Sequence, residues 1–168
     1  ANLLTGQPSG HLAYDDAMTI AEHARPFHAD GGPVGVVLCH GFTGTPTSMV
    51  EWARHLAAAG FTVAVPRLPG HGTTWQELSV TSWQDWYDCV DAEYQALAQR
   101  CSVVFVAGIS MGGSLALRLA EQHPQTVGLM LVNPALGAVD PLARLAPVLK
   151  YVVRRVDSIG NDIHKPGV

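Results

Sequence analysis

The chain has 168 residues, 48% hydrophobic and 14% charged, with a formal net charge of -4. That length bounds one domain with a real core, and the low charge content excludes a disordered chain. A slightly acidic chain has no electrostatic footing on nucleic acid, no apolar run approaches the roughly 20 residues of a membrane span, and no basic-then-apolar leader opens the sequence; the default location expected is cytoplasmic.

Residues up to about Asp30 are weakly patterned, and the stretch from Arg25 to Gly32 reads as a short strand entering a turn. Val34 to Cys39 is a continuous apolar run, as in a strand covered on both faces. A Gly/Thr loop follows, then a helix over Pro46 to Ala59 with Thr45 as N-cap, Pro46 at the first helical position and Gly60 closing it. Phe61 to Val65 reads as a short buried strand, and Pro66 to Thr74 as a loop rich in Pro and Gly. Trp83, Trp86, Tyr87, Val90, Tyr94 and Leu97 recur at three and four, which predicts an amphipathic helix over Ser82 to Arg100 and makes its aromatics core packing. Val103 to Ile109 is the next strand, Met111 to Gln122 the next helix and Val127 to Val132 a further strand. Alternating strands and helices mean a parallel sheet wrapped by helices, with sites at the carboxyl ends of the strands. Beyond Pro134, Leu142, Leu145, Leu149, Val152 and Val156 make a helical stripe. Cys39, Cys89 and Cys101 lack metal-ligand spacing and read as buried reduced thiols.

The chemistry sits in Gly108-Ile109-Ser110-Met111-Gly112. A serine at G-x-S-x-G spacing, after a buried strand and before a helix, is the nucleophile-elbow pattern. A Walker-type Lys-Ser/Thr ending is absent, which removes the phosphate-loop alternative. The serine needs donors for a developing oxyanion. The N–H of Met111, the first helical residue, supplies one; the N–H of Phe42, in the His40-Gly41-Phe42-Thr43-Gly44 loop after the earlier strand, is its natural partner. His40 and His71 read as loop-ordering residues, since a triad base follows its serine in chain order, and His164 sits in a Pro/Gly tail without a preceding strand. Asn133 cannot replace a triad carboxylate, and Asp140, before Pro141, reads as a helix start.

The pairing of Cys39-His40-Gly41-Phe42 with Gly108-Ile109-Ser110-Met111-Gly112-Gly113, with Leu68-Pro69-Gly70-His71-Gly72 between them, resembles the α/β-hydrolases. Within them it is most similar to bacterial carboxylesterases and monoacylglycerol lipases with a small cap, from about Val34 onward. The resemblance implies an α/β fold with a mainly parallel sheet flanked by helices, incomplete here because the C-terminal strands and most of the cap are absent. Residues 1–136 would be the N-terminal part of the core and 137–168 the start of the cap or lid. It implies a serine carboxylic-ester hydrolase working through an acyl-enzyme on Ser110, with Phe42 and Met111 as oxyanion hole, a small ester such as a monoacylglycerol as substrate, and no metal or organic cofactor. Such enzymes carry an acid and then a histidine after the lid, and this chain stops before either, so it is expected to be part of a longer hydrolase and inactive alone. The rival readings are thioesterase, amidase or C–C bond hydrolase chemistry on the same scaffold, and a non-catalytic binding fragment of the fold.

Overall fold

The computed structural model of the protein describes residues 24–137. The described residues through Ala135 belong to one compact unit, and the fold below is that of this unit. Asp140, the stripe from Leu142 to Val156 and His164 lie outside the described residues.

Among the described residues nine elements follow in chain order: β1 (Phe27–Ala29), β2 (Val34–Cys39), α1 (Thr47–Ala58), β3 (Thr62–Val65), α2 (Trp75–Ser79), α3 (Trp83–Ala98), β4 (Val103–Ile109), α4 (Met111–Gln122) and β5 (Gly128–Val132). The strands form one sheet in the order β1-β3-β2-β4-β5. Among the described strands only β1 runs antiparallel, pairing Phe27 with Val65; β2 pairs in parallel with both β3 and β4, and β4 with β5. The ladder sets Cys39 opposite Gly108 and Ile109 opposite Val132, which brings the carboxyl ends of β2, β4 and β5 side by side.

The central strands β2 and β4 are apolar along their whole length because the sheet is covered on both faces there, and the period of two sorts their side chains. Val37, Cys39, Val104 and Val106 face α3 and α4, packing with Val90, Tyr94, Leu97, Leu115 and Leu119. Val36, Leu38 and Ala107 face the other way, against Met49 and Ala53 of α1.

Two local details depart from expectation. Thr45 does not cap α1 with its hydroxyl: Pro46 occupies the N-cap with helical φ/ψ, and Thr45 contributes its carbonyl, accepting from the Ser48 N–H and hydroxyl. The short helix α2 interrupts what reads as connection. It is set by a capping box in which the Thr74 hydroxyl accepts from Glu77 N–H while the Glu77 carboxylate accepts from Thr74 N–H. Ser82 and Asp85 start α3 the same way. Among the described residues no helix is long and apolar enough to cross a membrane, and the three cysteines are free, Cys39 buried and the others half-buried. Burial pushes the Cys89 thiol up to about 12 and Cys39 still higher, which leaves both protonated and unreactive.

Candidate active site

Ser110 stands where β4 turns into α4, exposed, with φ 54° and ψ -121°. A side chain in this left-handed region is strained, and such strain persists only where the surroundings hold it. Two close approaches do so. A Cβ on Gly108 would lie 2.2 Å from the Gly112 carbonyl oxygen, so the first helical turn folds directly back on the end of β4. A Cβ on Gly112 would lie 2.2 Å from the carbonyl oxygen of Cys39 and 2.5 Å from that of His40, so the same turn presses on the end of β2.

The backbone of Ser110 is also tied to the chain leaving β5. Its N–H donates to the Val132 carbonyl at 3.0 Å, and its carbonyl accepts from the Ala135 N–H at 3.1 Å. Pro134 has no N–H to offer, so the pairing skips to Ala135 and the intervening chain bulges. Asn133 takes the left-handed conformation this requires, at φ 43°. The Ser114 hydroxyl fastens the segment further, donating to the Ala135 carbonyl at 2.5 Å. The Ser110 hydroxyl itself has no hydrogen-bond partner among the described residues.

The loop after β2 lies against this serine. A Cβ on Gly41 would be 3.4 Å from the Ser110 Cβ and 4.0 Å from its Oγ. His40 is fully buried and engaged at both ring nitrogens. Its Nε2 accepts from the Leu68 N–H at 3.2 Å, which leaves the proton on Nδ1 to donate to the Gly41 carbonyl at 3.0 Å. The Gly41 carbonyl accepts a second bond from the Gly44 N–H at 3.1 Å. In a trans peptide the carbonyl and the following N–H point in opposite directions, so these two bonds fix the Phe42 N–H facing away from His40 and Gly44. That N–H has no intramolecular acceptor among the described residues. As the first residue of α4, Met111 also has an N–H that helical geometry leaves unpaired. Two unpaired donors therefore flank an exposed, strained serine at the carboxyl edge of the sheet.

Neither nearby histidine is placed as a free base. Burial draws His40 down to about 4, against the favourable bond to Gly41, so the ring is neutral. His71 is buried as well and lowered by the same cause; its Nδ1 donates to the Pro69 carbonyl at 3.1 Å, and its Nε2 has no partner among the described residues. Both act as loop ties. Among the described residues no three His, Cys, Asp or Glu side chains are grouped to hold a metal ion.

The aromatic helix divides. Trp86 and Tyr87 pack on the core as their spacing predicts, but Trp83 is 41% exposed. Trp86 also reaches the site, its ring centroid 5.8 Å from that of Phe42 and 5.3 Å from that of His71. The helical stripe alone could not reveal this second contact; the capping signals Thr74-x-x-Glu77 and Ser82-x-x-Asp85 were the available pointers to how the region turns back on the site.

The protein family described as serine aminopeptidase, S33, matches residues 34–164 of this chain. A thermostable monoacylglycerol lipase of Bacillus sp. (strain H-257) is 48% identical over 147 residues, covering 86% of this chain and 58% of that protein. A carboxylesterase of Bacillus subtilis (strain 168) is 34% identical over 101 residues, covering 60% of this chain and 41% of the relative. The chain thus spans about half the length of these relatives. A solved structure from a study of LipS and LipT, two metagenome-derived lipolytic enzymes, superposes with a TM-score of 0.73 at 41% identity, over 75% of this chain and 52% of that one. The strand order, the strained serine between β4 and α4 and this match agree: the chain belongs to the serine aminopeptidase, S33, family and carries the α/β-hydrolase fold.

Proposed function

We propose that this protein is a serine hydrolase of carboxylic esters, with monoacylglycerols or other short to medium acyl esters as substrates. Ser110 Oγ attacks the ester carbonyl, and the oxyanion of the tetrahedral intermediate accepts from the N–H groups of Phe42 and Met111. Collapse expels the alcohol, which takes the serine proton by way of a histidine, and leaves an acyl-serine. Water, deprotonated by the same histidine, then releases the acid and restores Ser110. The histidine and its carboxylate are assigned to chain beyond the described residues, because His40 is tied at both nitrogens and His71 is held by Nδ1 in a buried site. Residues 1–136 are read as the N-terminal part of the hydrolase core and 137–168 as the start of its cap.

The observation that carries the reading is the exposed Ser110 in a left-handed conformation with the Gly41–Phe42 peptide packed against it. A serine in an ordinary strand-to-helix turn has no reason to bear that strain. The relatives named as a monoacylglycerol lipase and a carboxylesterase support the choice of esters over other acyl compounds. The test is fluorophosphonate labelling of the protein expressed from its complete reading frame. Labelling confined to Ser110 and lost in Ser110→Ala is expected; folded protein that stays unlabelled overturns the reading.

A further inference from the structure

The ring cluster beside the Gly41–Phe42 loop has no part in the mechanism above. We propose that Trp86 is a positioning residue for the oxyanion hole: its indole, anchored by its own N–H, props Phe42 and His71 so that the Phe42 N–H keeps its aim. The inference rests on the ester-hydrolase reading and adds a specific support to it.

Trp86 lies in the first turn of α3, whose start is fixed by the Ser82–Asp85 capping box. Its Nε1–H is shared between the Pro69 carbonyl at 3.1 Å and the Thr81 hydroxyl at 3.0 Å. That hydroxyl donates onward to the Leu78 carbonyl at 2.7 Å, which leaves its lone pairs free to receive the indole. The Pro69 carbonyl also accepts from His71 Nδ1, so Trp86 and His71 are yoked on one oxygen. The two rings sit 5.3 Å apart at 75°. Each then meets Phe42, His71 at 5.9 Å and 82° and Trp86 at 5.8 Å and 53°. Edge-to-face and tilted contacts at these separations are attractive and directional.

Phe42 needs such support because, among the described residues, it has little else. It is 55% exposed, and the backbone ties of its loop all fall on the Gly41 carbonyl behind it. His40 and Gly44 set the direction of the Gly41–Phe42 peptide from one side; the ring contacts restrain the Phe42 side chain from the other. An oxyanion donor works only where its hydrogen already points at the developing charge, and small displacements are costly in rate. Simple core packing would account for the apolar contacts of Trp86 but not for an indole N–H shared between the loop that carries His71, at Pro69, and the turn before its own helix, at Thr81.

The experiment uses Trp86→Phe, which keeps a ring and removes the N–H, in the protein from its complete reading frame. Hydrolysis of p-nitrophenyl butyrate gives kcat and KM, a trifluoromethyl ketone reports binding of a tetrahedral adduct, and fluorophosphonate titration counts competent Ser110. A drop in kcat of about tenfold is expected, with an equal loss of ketone affinity, KM within about twofold and an unchanged titratable fraction. Thr81→Val, which keeps the indole and removes one anchor, should move kcat and ketone affinity the same way by about threefold; it decides the matter if Trp86→Phe does not fold. Unchanged kcat and ketone affinity, or a fall in kcat that only tracks the titratable fraction, overturns the positioning role. An unlabelled wild-type protein would instead defeat the ester-hydrolase reading itself, and the proposal with it.

Discussion

Protonation of His40 should unfasten the loop that carries Gly41 and Phe42, and its cost follows from the geometry. The folded ring is neutral, with Nε2 bare to receive the Leu68 N–H and Nδ1 donating to Gly41. A second proton on Nε2 would set donor against donor in a fully buried site. Burial therefore holds the folded group at about 4, against 6.5 when exposed. Between those values the unfolded chain binds the proton and the folded one does not, so the stability His40 contributes is intact above 6.5 and lost as pH falls toward 4. At about pH 5 the loss is about 2 kcal/mol, approaching about 3 kcal/mol once both forms are charged. His71, also lowered by burial, pulls in the same direction. His28 pulls in the opposite one: its bond to Glu93 raises it, so its contribution is present in acid and lost as pH rises. Comparison with His40→Asn isolates the effect, because both of those histidines remain, and the amide keeps a donor for Gly41 without titrating. Urea unfolding of both proteins at about pH 7.5 and about pH 5 should show the wild type losing about 2 kcal/mol more than the variant. Parallel losses in the two proteins would refute the assignment of His40 as a buried neutral tie.

The strain at Ser110 predicts that Ser110→Gly is more stable than Ser110→Ala by about 1 kcal/mol in urea unfolding, since glycine adopts φ 54° without a Cβ penalty; equal stabilities would mean the turn is unstrained. Gly112→Ala places a methyl group 2.2 Å from the Cys39 carbonyl oxygen, so β2 and α4 must part. A loss of at least about 2 kcal/mol together with loss of fluorophosphonate labelling is expected, and a variant that melts and labels like wild type would contradict the close packing.

The sheet was legible because its signal is local. Val34 to Cys39 and Val103 to Ile109 are apolar at every position, which only a strand covered on both faces requires, and the observed bounds are those of the apolar runs. The elbow was legible for a related reason: the small residues at 108 and 112 are demanded by contacts within one strand–turn–helix unit and by the neighbouring strand end. Helix α2 was not, because five residues hold no helical period and its capping box starts on the last residue of a loop rich in Pro and Gly. The N-cap of α1 slipped by one residue, since proline at position 46 already has the helical φ that a capping threonine would otherwise precede.

The ties that shape the site belong to a different class of information. His40 could be judged a loop residue from its place before the serine, yet nothing in its neighbourhood names Leu68, 28 residues away, as the donor that fixes its tautomer. The same holds for Trp86. Its spacing with Val90 and Tyr94 marks the face turned to the core, and one side chain cannot advertise a second partner through a periodicity that averages over a face. Such contacts become visible only when the polar atom on an apolar residue is followed. An indole N–H that is partly buried must find acceptors, and those available to Trp86 were the Pro69 carbonyl and the Thr81 hydroxyl, both beside the loop that carries His71. Hydrophobic pattern therefore located the sheet and small residues at fixed spacing located the serine, while the satisfaction of buried polar atoms determines how the loop beside that serine is held. For this chain the second principle is the one on which the direction of the Phe42 N–H depends.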